Sequence, residues 1–95
     1  MPKGYWIAHV TVTDPDQYKH YAAATPKAFK KYGATILARG GAHEQMEGND
    51  RPRNVVIEFP SLQAAIDCYN SPEYQSAKAK RKTAGTAEIV VVEGV

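Results

Sequence analysis

Four stretches of the chain carry the alternating or β-branched residues typical of strands, and helical patterns separate them. Strands are predicted over 5–13, 34–39, 53–59 and 87–93. Apolar residues recur at helical spacing over 15–32 and again over 62–82. The resulting order βαββαβ is the ferredoxin-like pattern, an α+β fold, and it accounts for residues 1–95 as a single domain.

Capping residues and prolines predict where the helices begin and break. Asp14 or Thr13 can cap the first helix, and Pro26 inside it predicts a kink, or a break near Thr25. In the second helical stretch Ser61 can cap one segment, and Ser71 followed by proline can begin another. The second helix is therefore predicted to be broken in two.

The second strand contains paired glycines, Gly40 and Gly41, before a strand-like stretch that continues to Glu47. Paired glycines inside a strand pattern favour a bulge or a bend. We therefore expect an irregular second strand that extends past the glycine pair.

The connections between strands predict both the sheet order and a surface for self-association. Right-handed crossovers and a hairpin between strands two and three give the antiparallel order 4-1-3-2, with helices on one face only. The open face carries Tyr5, Ile7, Val56, Val90 and Val92. Because an apolar patch of this size is typical of an interface, we expect a homodimer through the open face, in which two sheets form a dimeric α/β barrel.

Short motifs spread over nearly the whole chain resemble one protein family. They are GYWI at 4–7, DP at 14–15, ARGG at 38–41, RPR at 51–53, VIEFPS at 56–61 and YNSPEY at 69–74. Their ordered set is similar to the "domain of unknown function thirteen-thirty" family. The resemblance implies the dimeric α/β-barrel superfamily, which includes cofactor-independent monooxygenases, haem-degrading enzymes and non-enzymatic ligand-binding modules. It implies fold and dimer, and no particular reaction.

Composition narrows the classes of function. The net charge of +2 is too small to indicate nucleic-acid binding, and no apolar run reaches membrane-spanning length. The single cysteine, Cys68, excludes an intrachain disulfide framework and favours a reducing, cytoplasmic location. His9, His20 and His43 lack the spacing of metal ligands, so the sequence predicts no metal and no cofactor.

Candidate catalytic residues lie on the first and third strands. His9 and Glu58 occupy neighbouring strands of the predicted sheet, where a His–carboxylate pair can move protons near neutral pH. The alternative is a structural hydrogen-bonded pair at the dimer interface. Cys68 lacks an adjacent base, and we expect it to be a small buried hydrophobe rather than a nucleophile.

Candidate binding residues include one arginine and two tyrosines. Arg39, just before the glycine pair, is the predicted anchor for an anionic group, with a salt bridge to Glu58 or to a partner chain as the alternative. Tyr69, Tyr74 and Trp6 are predicted to line a pocket between the helices and the sheet, with plain core packing as the alternative.

Two functions remain open from the sequence. The first is an enzyme that acts on a small aromatic or carboxylate-bearing molecule by proton transfer or cofactor-free oxygenation. The second is a non-catalytic homodimer that binds a small ligand or a partner protein. A cavity that contains His9 and Glu58 would favour the enzyme, whereas a cavity lined only by apolar residues and tyrosine would favour the binding protein.

Overall fold

The protein folds into a four-stranded antiparallel sheet with three helices packed on one face. The computed structural model describes residues 2–95. The elements are β1 (Gly4–Val12), α1 (Pro15–Lys31), β2 (Thr35–Arg39), β3 (Arg53–Phe59), α2 (Leu62–Asn70), α3 (Pro72–Arg81) and β4 (Gly85–Glu93). The sheet order is β2-β3-β1-β4, so the predicted ferredoxin-like topology is confirmed, with the second helix divided into α2 and α3.

Alternation along the central strand β1 separates the two faces of the sheet. Trp6, Ala8 and Val10 lie buried beneath the helices. The opposite face of the sheet has no helix over it, and there Val90 is 55% exposed and Val92 is 43% exposed. The predicted division into a covered face and an open apolar face is therefore confirmed.

Serine and aspartate side chains fix the ends of the helices as predicted. The Asp14 carboxylate accepts a hydrogen bond from the backbone N–H of Gln17 at the start of α1. Ser61 caps α2 in the same way. The Ser71 hydroxyl accepts from the Tyr74 N–H to begin α3 and donates to the Cys68 carbonyl to end α2, so one residue makes the break between the two helices.

Helix α1 runs through Pro26 without interruption, so the break predicted near Thr25 is wrong. A proline has no N–H, and the Ala22 carbonyl one turn earlier therefore loses its helical partner. The Thr25 hydroxyl donates to that same carbonyl over 3.1 Å. A side-chain hydrogen bond thus replaces the missing backbone bond, and the helix can continue.

Strand β2 is shorter than the sequence pattern indicates. The prediction that it continues to Glu47 is wrong, since β2 ends at Arg39 and residues 40–52 form an exposed loop. Gly40 adopts φ +65° and its N–H donates to the Asn54 carbonyl, which turns the chain out of the sheet. The bulge lies at Leu37 rather than at the glycine pair, where the pairing with β3 shifts between Ile36 and Ala38.

The Thr25–Ala22 hydrogen bond can be measured by a double-mutant cycle. Thr25→Val should lower the free energy of unfolding by about 1 kcal/mol, because a helical carbonyl loses its donor. In a Pro26→Ala background the cost should shrink, since the new N–H at position 26 can bond to Ala22. Urea unfolding followed by circular dichroism measures both; strictly additive costs would contradict this account of Pro26.

Candidate functional site

A cavity of about 220 Å³ lies between α1 and the covered face of the sheet. Its floor is formed by β1, β3 and neighbouring strand residues, and α1 forms its roof through Tyr18, Tyr21, Ala22 and Phe29. Small residues contribute to both sides of the cavity, since Ala8 lies on the floor and Ala22 on the helix. A space of this volume corresponds to roughly seven water molecules, which suits a single-ring molecule.

The register of the sheet orders the floor into three rows. In the first row Trp6 lies beside Ile57 on β3, and the lining there is apolar. In the second row Val55 pairs with Arg39 on β2. In the third row Val10 pairs with Arg53. The floor therefore changes from apolar to cationic along the strands.

Arg39 reaches the cavity because of the bulge in β2. Ile36 pairs with Ile57 and faces the helices, so simple alternation would place Ala38 on the same face and Arg39 on the open face. The bulge at Leu37 shifts the register by one residue, and Arg39 instead pairs with Val55, whose row faces α1. The predicted anion anchor is exposed and lines the cavity.

Arg53 is held at the cationic end between a glycine and a tyrosine ring. Its guanidinium carbon lies 5.5 Å from the centre of the Tyr18 ring, within cation–π range. On the other side a Cβ on Gly40 would lie 2.6 Å from a guanidinium nitrogen, so a larger residue there would displace the Arg53 side chain. Among residues 2–95, the buried Nε of Arg53 has no hydrogen-bond partner.

Arg81 enters the cavity from α3 and is only 8% exposed. Its guanidinium carbon lies 5.0 Å from the centre of the Tyr21 ring. The Tyr21 hydroxyl is 2.9 Å from that of Tyr74, and the two share a buried hydrogen bond. Burial, together with the neighbouring Tyr74, raises the pKa of Tyr21 well above its ordinary value, so Tyr21 stays neutral and provides no counter-charge.

The cationic end of the cavity has no acidic partner within residues 2–95. No aspartate, glutamate or histidine lines the cavity. The ion pairs of the described chain involve other basic residues, such as Arg51 with Glu88 and Lys3 with Glu58, and none involves Arg39, Arg53 or Arg81. A partly buried guanidinium without a counter-charge is costly, and an anionic ligand would supply the missing charge.

The predicted catalytic residues His9 and Glu58 lie on the open face and are not brought together. His9 pairs with Asn54 and Glu58 pairs with Tyr5, four residues apart along β3, which corresponds to roughly 13 Å. The His9 Nδ1 lies 2.6 Å from the Asn54 side-chain oxygen. The hypothesis of a direct His–carboxylate contact is therefore wrong within one chain, and a catalytic role for either residue stays a prediction.

Glu58 already has partners that account for its position. Its carboxylate accepts hydrogen bonds from Lys3 at 3.0 Å and from the Tyr5 hydroxyl at 3.2 Å. The hydrogen bond from Lys3 holds the pKa of Glu58 below its ordinary value. Glu58 is thus an ionised carboxylate at neutral pH and does not form the alternative salt bridge to Arg39.

Tyr69 and Tyr74 lie in the core rather than in the cavity lining. Tyr74 is fully buried and packs edge-on to Trp6 with ring centres 4.9 Å apart. Tyr69 is half-buried and packs against the same indole. Their predicted substrate-binding role stays a prediction, and Tyr74 contacts the lining through Trp6, Tyr21 and Phe29. Burial, with Glu73 nearby, raises the pKa of the Cys68 thiol to about 12, so it is protonated at neutral pH.

The described residues contain neither a group of metal ligands nor a membrane-spanning helix. Within residues 2–95 no three histidine, cysteine, aspartate or glutamate side chains are close enough to hold a metal ion. Over the same residues no helix has both the length and the apolar character needed to cross a membrane.

Sequence reasoning missed four lining residues, Tyr18, Tyr21, Arg53 and Arg81. Two signals were present. Arg53 stands at the head of an alternating series that continues with buried Ile57 and Phe59, and Arg81 follows buried core positions of α3 at helical spacing. Both arginines have the periodicity of core residues, which is unusual for a charged side chain and indicates a site.

A four-stranded antiparallel sheet in the order β2-β3-β1-β4, with helices on one face and an open apolar face, defines the ferredoxin-like fold. The chain belongs to the DUF1330 family, a domain of unknown function, whose profile matches residues 3–95. No curated protein matches the chain significantly.

Solved structures with the same fold are distant in sequence. A protein of unknown function from Rhodopseudomonas palustris is 17% identical with a TM-score of 0.75, over 99% of this chain and 83% of that one. SnoaB, a cofactor-independent oxygenase from Streptomyces nogalater, is 16% identical with a TM-score of 0.66, over 97% and 92%. A dimeric ferredoxin-like protein of unknown function from Thermobifida fusca is 16% identical with a TM-score of 0.65, over 97% and 91%. These similarities establish the fold.

Proposed function

We propose that this protein binds a small organic anion with an apolar ring in the cavity between α1 and the sheet. The observation that carries the proposal is the set of three arginines, Arg39, Arg53 and Arg81, that line one largely apolar cavity and have no ion-pair partner among residues 2–95. The ring would pack in the apolar row around Trp6, and the anionic group would meet the guanidiniums. Binding is favoured over catalysis because neither His9 nor Glu58 lies in the lining.

Arg53 and Arg51 provide a matched test of the proposal. Arg53→Gln should weaken the binding of benzoate at least about tenfold, because a charge-assisted hydrogen bond is lost. Arg51→Gln makes the same change of net charge but removes an ion pair with Glu88 outside the cavity, and it should leave the affinity unchanged. Isothermal titration calorimetry measures the affinity of both variants. Equal weakening in the two variants would show that the effect is nonspecific electrostatics and would contradict the proposal.

Cofactor-free oxygenation in the same cavity is a second candidate, supported by the shared fold with SnoaB and by the cationic lining. Guanidinium groups lower the pKa of a bound phenol or enol and so favour its electron-rich anion. In the reaction an activated CH₂ carbon becomes C=O with one oxygen atom of O₂, and the two hydrogens leave with the other oxygen atom as water. His9 and Glu58, predicted as proton-transfer residues, lie on the open face and would not serve this cavity.

Oxygen consumption distinguishes the two candidates. If the protein is an oxygenase, it should accelerate O₂ uptake by an electron-rich single-ring phenol, and Arg53→Gln should abolish the acceleration while Arg51→Gln preserves it. An oxygen electrode provides the measurement, with the product identified by mass spectrometry. Tight phenol binding without O₂ uptake above the protein-free rate would exclude oxygenation of that phenol and favour the binding protein.

We also propose that the protein acts in the cytoplasm as a homodimer joined through the open face of the sheet. The dimeric relative from Thermobifida fusca has the same fold, and Val90 and Val92 on this chain's open face are exposed apolar residues. The cytoplasmic location is supported by the single, buried and protonated Cys68, which suits a reducing compartment.

Sedimentation velocity tests the dimer. The wild-type protein should sediment as a dimer at micromolar concentration, and Val90→Glu should shift it to monomer, because a buried charge without a partner is costly. Ser76→Glu, which adds the same charge to an exposed position of α3, should leave the dimer intact. A wild-type monomer at this concentration would refute the interface.

A further inference from the structure

We propose that the ligand of the cavity carries two negative charges at one end of an apolar ring, and that Arg53 and Arg81 each bind one of them. The inference rests on the proposed function and deepens it by naming the class of anion. It starts from the difference between the three arginines: Arg39 is exposed, whereas Arg53 is half-buried and Arg81 is 8% exposed.

Water can solvate the charge of Arg39 more fully than that of half-buried Arg53 or of Arg81, which is 8% exposed. Burial of a cation without a hydrogen-bonded counter-charge is unfavourable, and the cost applies separately to each buried cation. The buried Nε of Arg53 has no hydrogen-bond partner within residues 2–95, and Arg81 forms no ion pair there. One carboxylate would neutralise one guanidinium, so full compensation of both requires two negative charges.

The arrangement of the aromatic rings places both guanidiniums at the same end of the cavity. Arg53 lies over the Tyr18 ring and Arg81 lies over the Tyr21 ring. The two tyrosines are one turn apart on α1, with ring centres 5.2 Å from each other. The two guanidiniums therefore lie against neighbouring tyrosine rings of the roof.

The opposite end of the cavity accepts no charge. There the floor consists of Trp6 and Ile57, and Phe29 approaches from α1 with its ring centre 5.4 Å from the indole. A charge placed among these side chains would be desolvated without compensation. The cavity thus favours a ring with two adjacent acidic groups over a ring with acidic groups at opposite ends.

Three benzene carboxylates of the same ring size test the inference by calorimetry on the intact wild-type protein. Phthalate, with adjacent carboxylates, should bind about tenfold more tightly than benzoate at fixed salt, because the second carboxylate gains a charge-assisted hydrogen bond. Terephthalate, with its carboxylates on opposite sides of the ring, should bind no more tightly than benzoate.

The outcomes separate this inference from the proposed function. Benzoate and phthalate binding with equal affinity would overturn the two-charge ligand and leave the binding of a monoanion standing. Terephthalate binding as tightly as phthalate would overturn the placement of both charges at one end. Failure of both benzoate and phthalate to bind at millimolar concentration would overturn the proposed function and this inference with it.

Variants of Arg81 assign the second charge to its residue. Arg81→Gln should reduce the affinity for phthalate to that for benzoate, and Arg51→Gln should preserve the difference. Because Arg81 is buried and its loss can affect folding, Arg81→Lys serves as a second variant that keeps the charge and should retain part of the preference. A phthalate preference unchanged in Arg81→Gln would assign the second charge elsewhere and overturn the role of Arg81.

Discussion

The position of Trp6 determines how the rest of the molecule packs. Its indole lies on the central strand, 2% exposed, and its N–H donates to the Ala65 carbonyl of α2 at 2.8 Å. The same ring packs against Phe29 of α1, Phe59 of β3 and Tyr74 of α3. One side chain thus contacts all three helices and a neighbouring strand, and its hydrogen bond fixes the orientation of the ring as well as its depth.

The cavity lies beyond the aromatic side chains that pack around Trp6. Phe29, near the C-terminal end of α1, packs on the indole, whereas residues nearer the N-terminal end face small side chains of the sheet such as Ala8. Tyr18 and Tyr21 belong to the roof of the resulting gap, and the guanidiniums of Arg53 and Arg81 lie over their rings. The same packing that makes one end of the sheet a dense aromatic core therefore leaves an open, cationic space at the other end.

The fold could be predicted from the sequence because its signals are local. Alternation, capping side chains and prolines act over a few residues, and they defined the order of elements.

The site depended on contacts between residues that are distant in the sequence. The bulge at Leu37, which turns Arg39 toward α1, is set by pairing with β3 and has no signature of its own in the strand sequence. Arg53 and Arg81 could be recognised as periodic positions. The periodicity of a charged residue indicates only which face of its own element it shares with core residues. It does not indicate that elements distant in sequence bring both arginines to one cavity. The break predicted near Thr25 was wrong for a related reason, because a single hydroxyl compensates for the hydrogen bond that Pro26 cannot make.

The small side chains that line the cavity have a cost in stability. A larger apolar residue in place of Ala8 or Ala22 would fill space between the helix and the sheet and gain the packing that alanine forgoes. The same replacement would remove the room for a ligand. Under the proposed function this is a trade-off between stability and ligand binding, because the two alanines forgo packing and leave the cavity open. A search for stabilising substitutions in this protein would be expected to fill the proposed binding cavity.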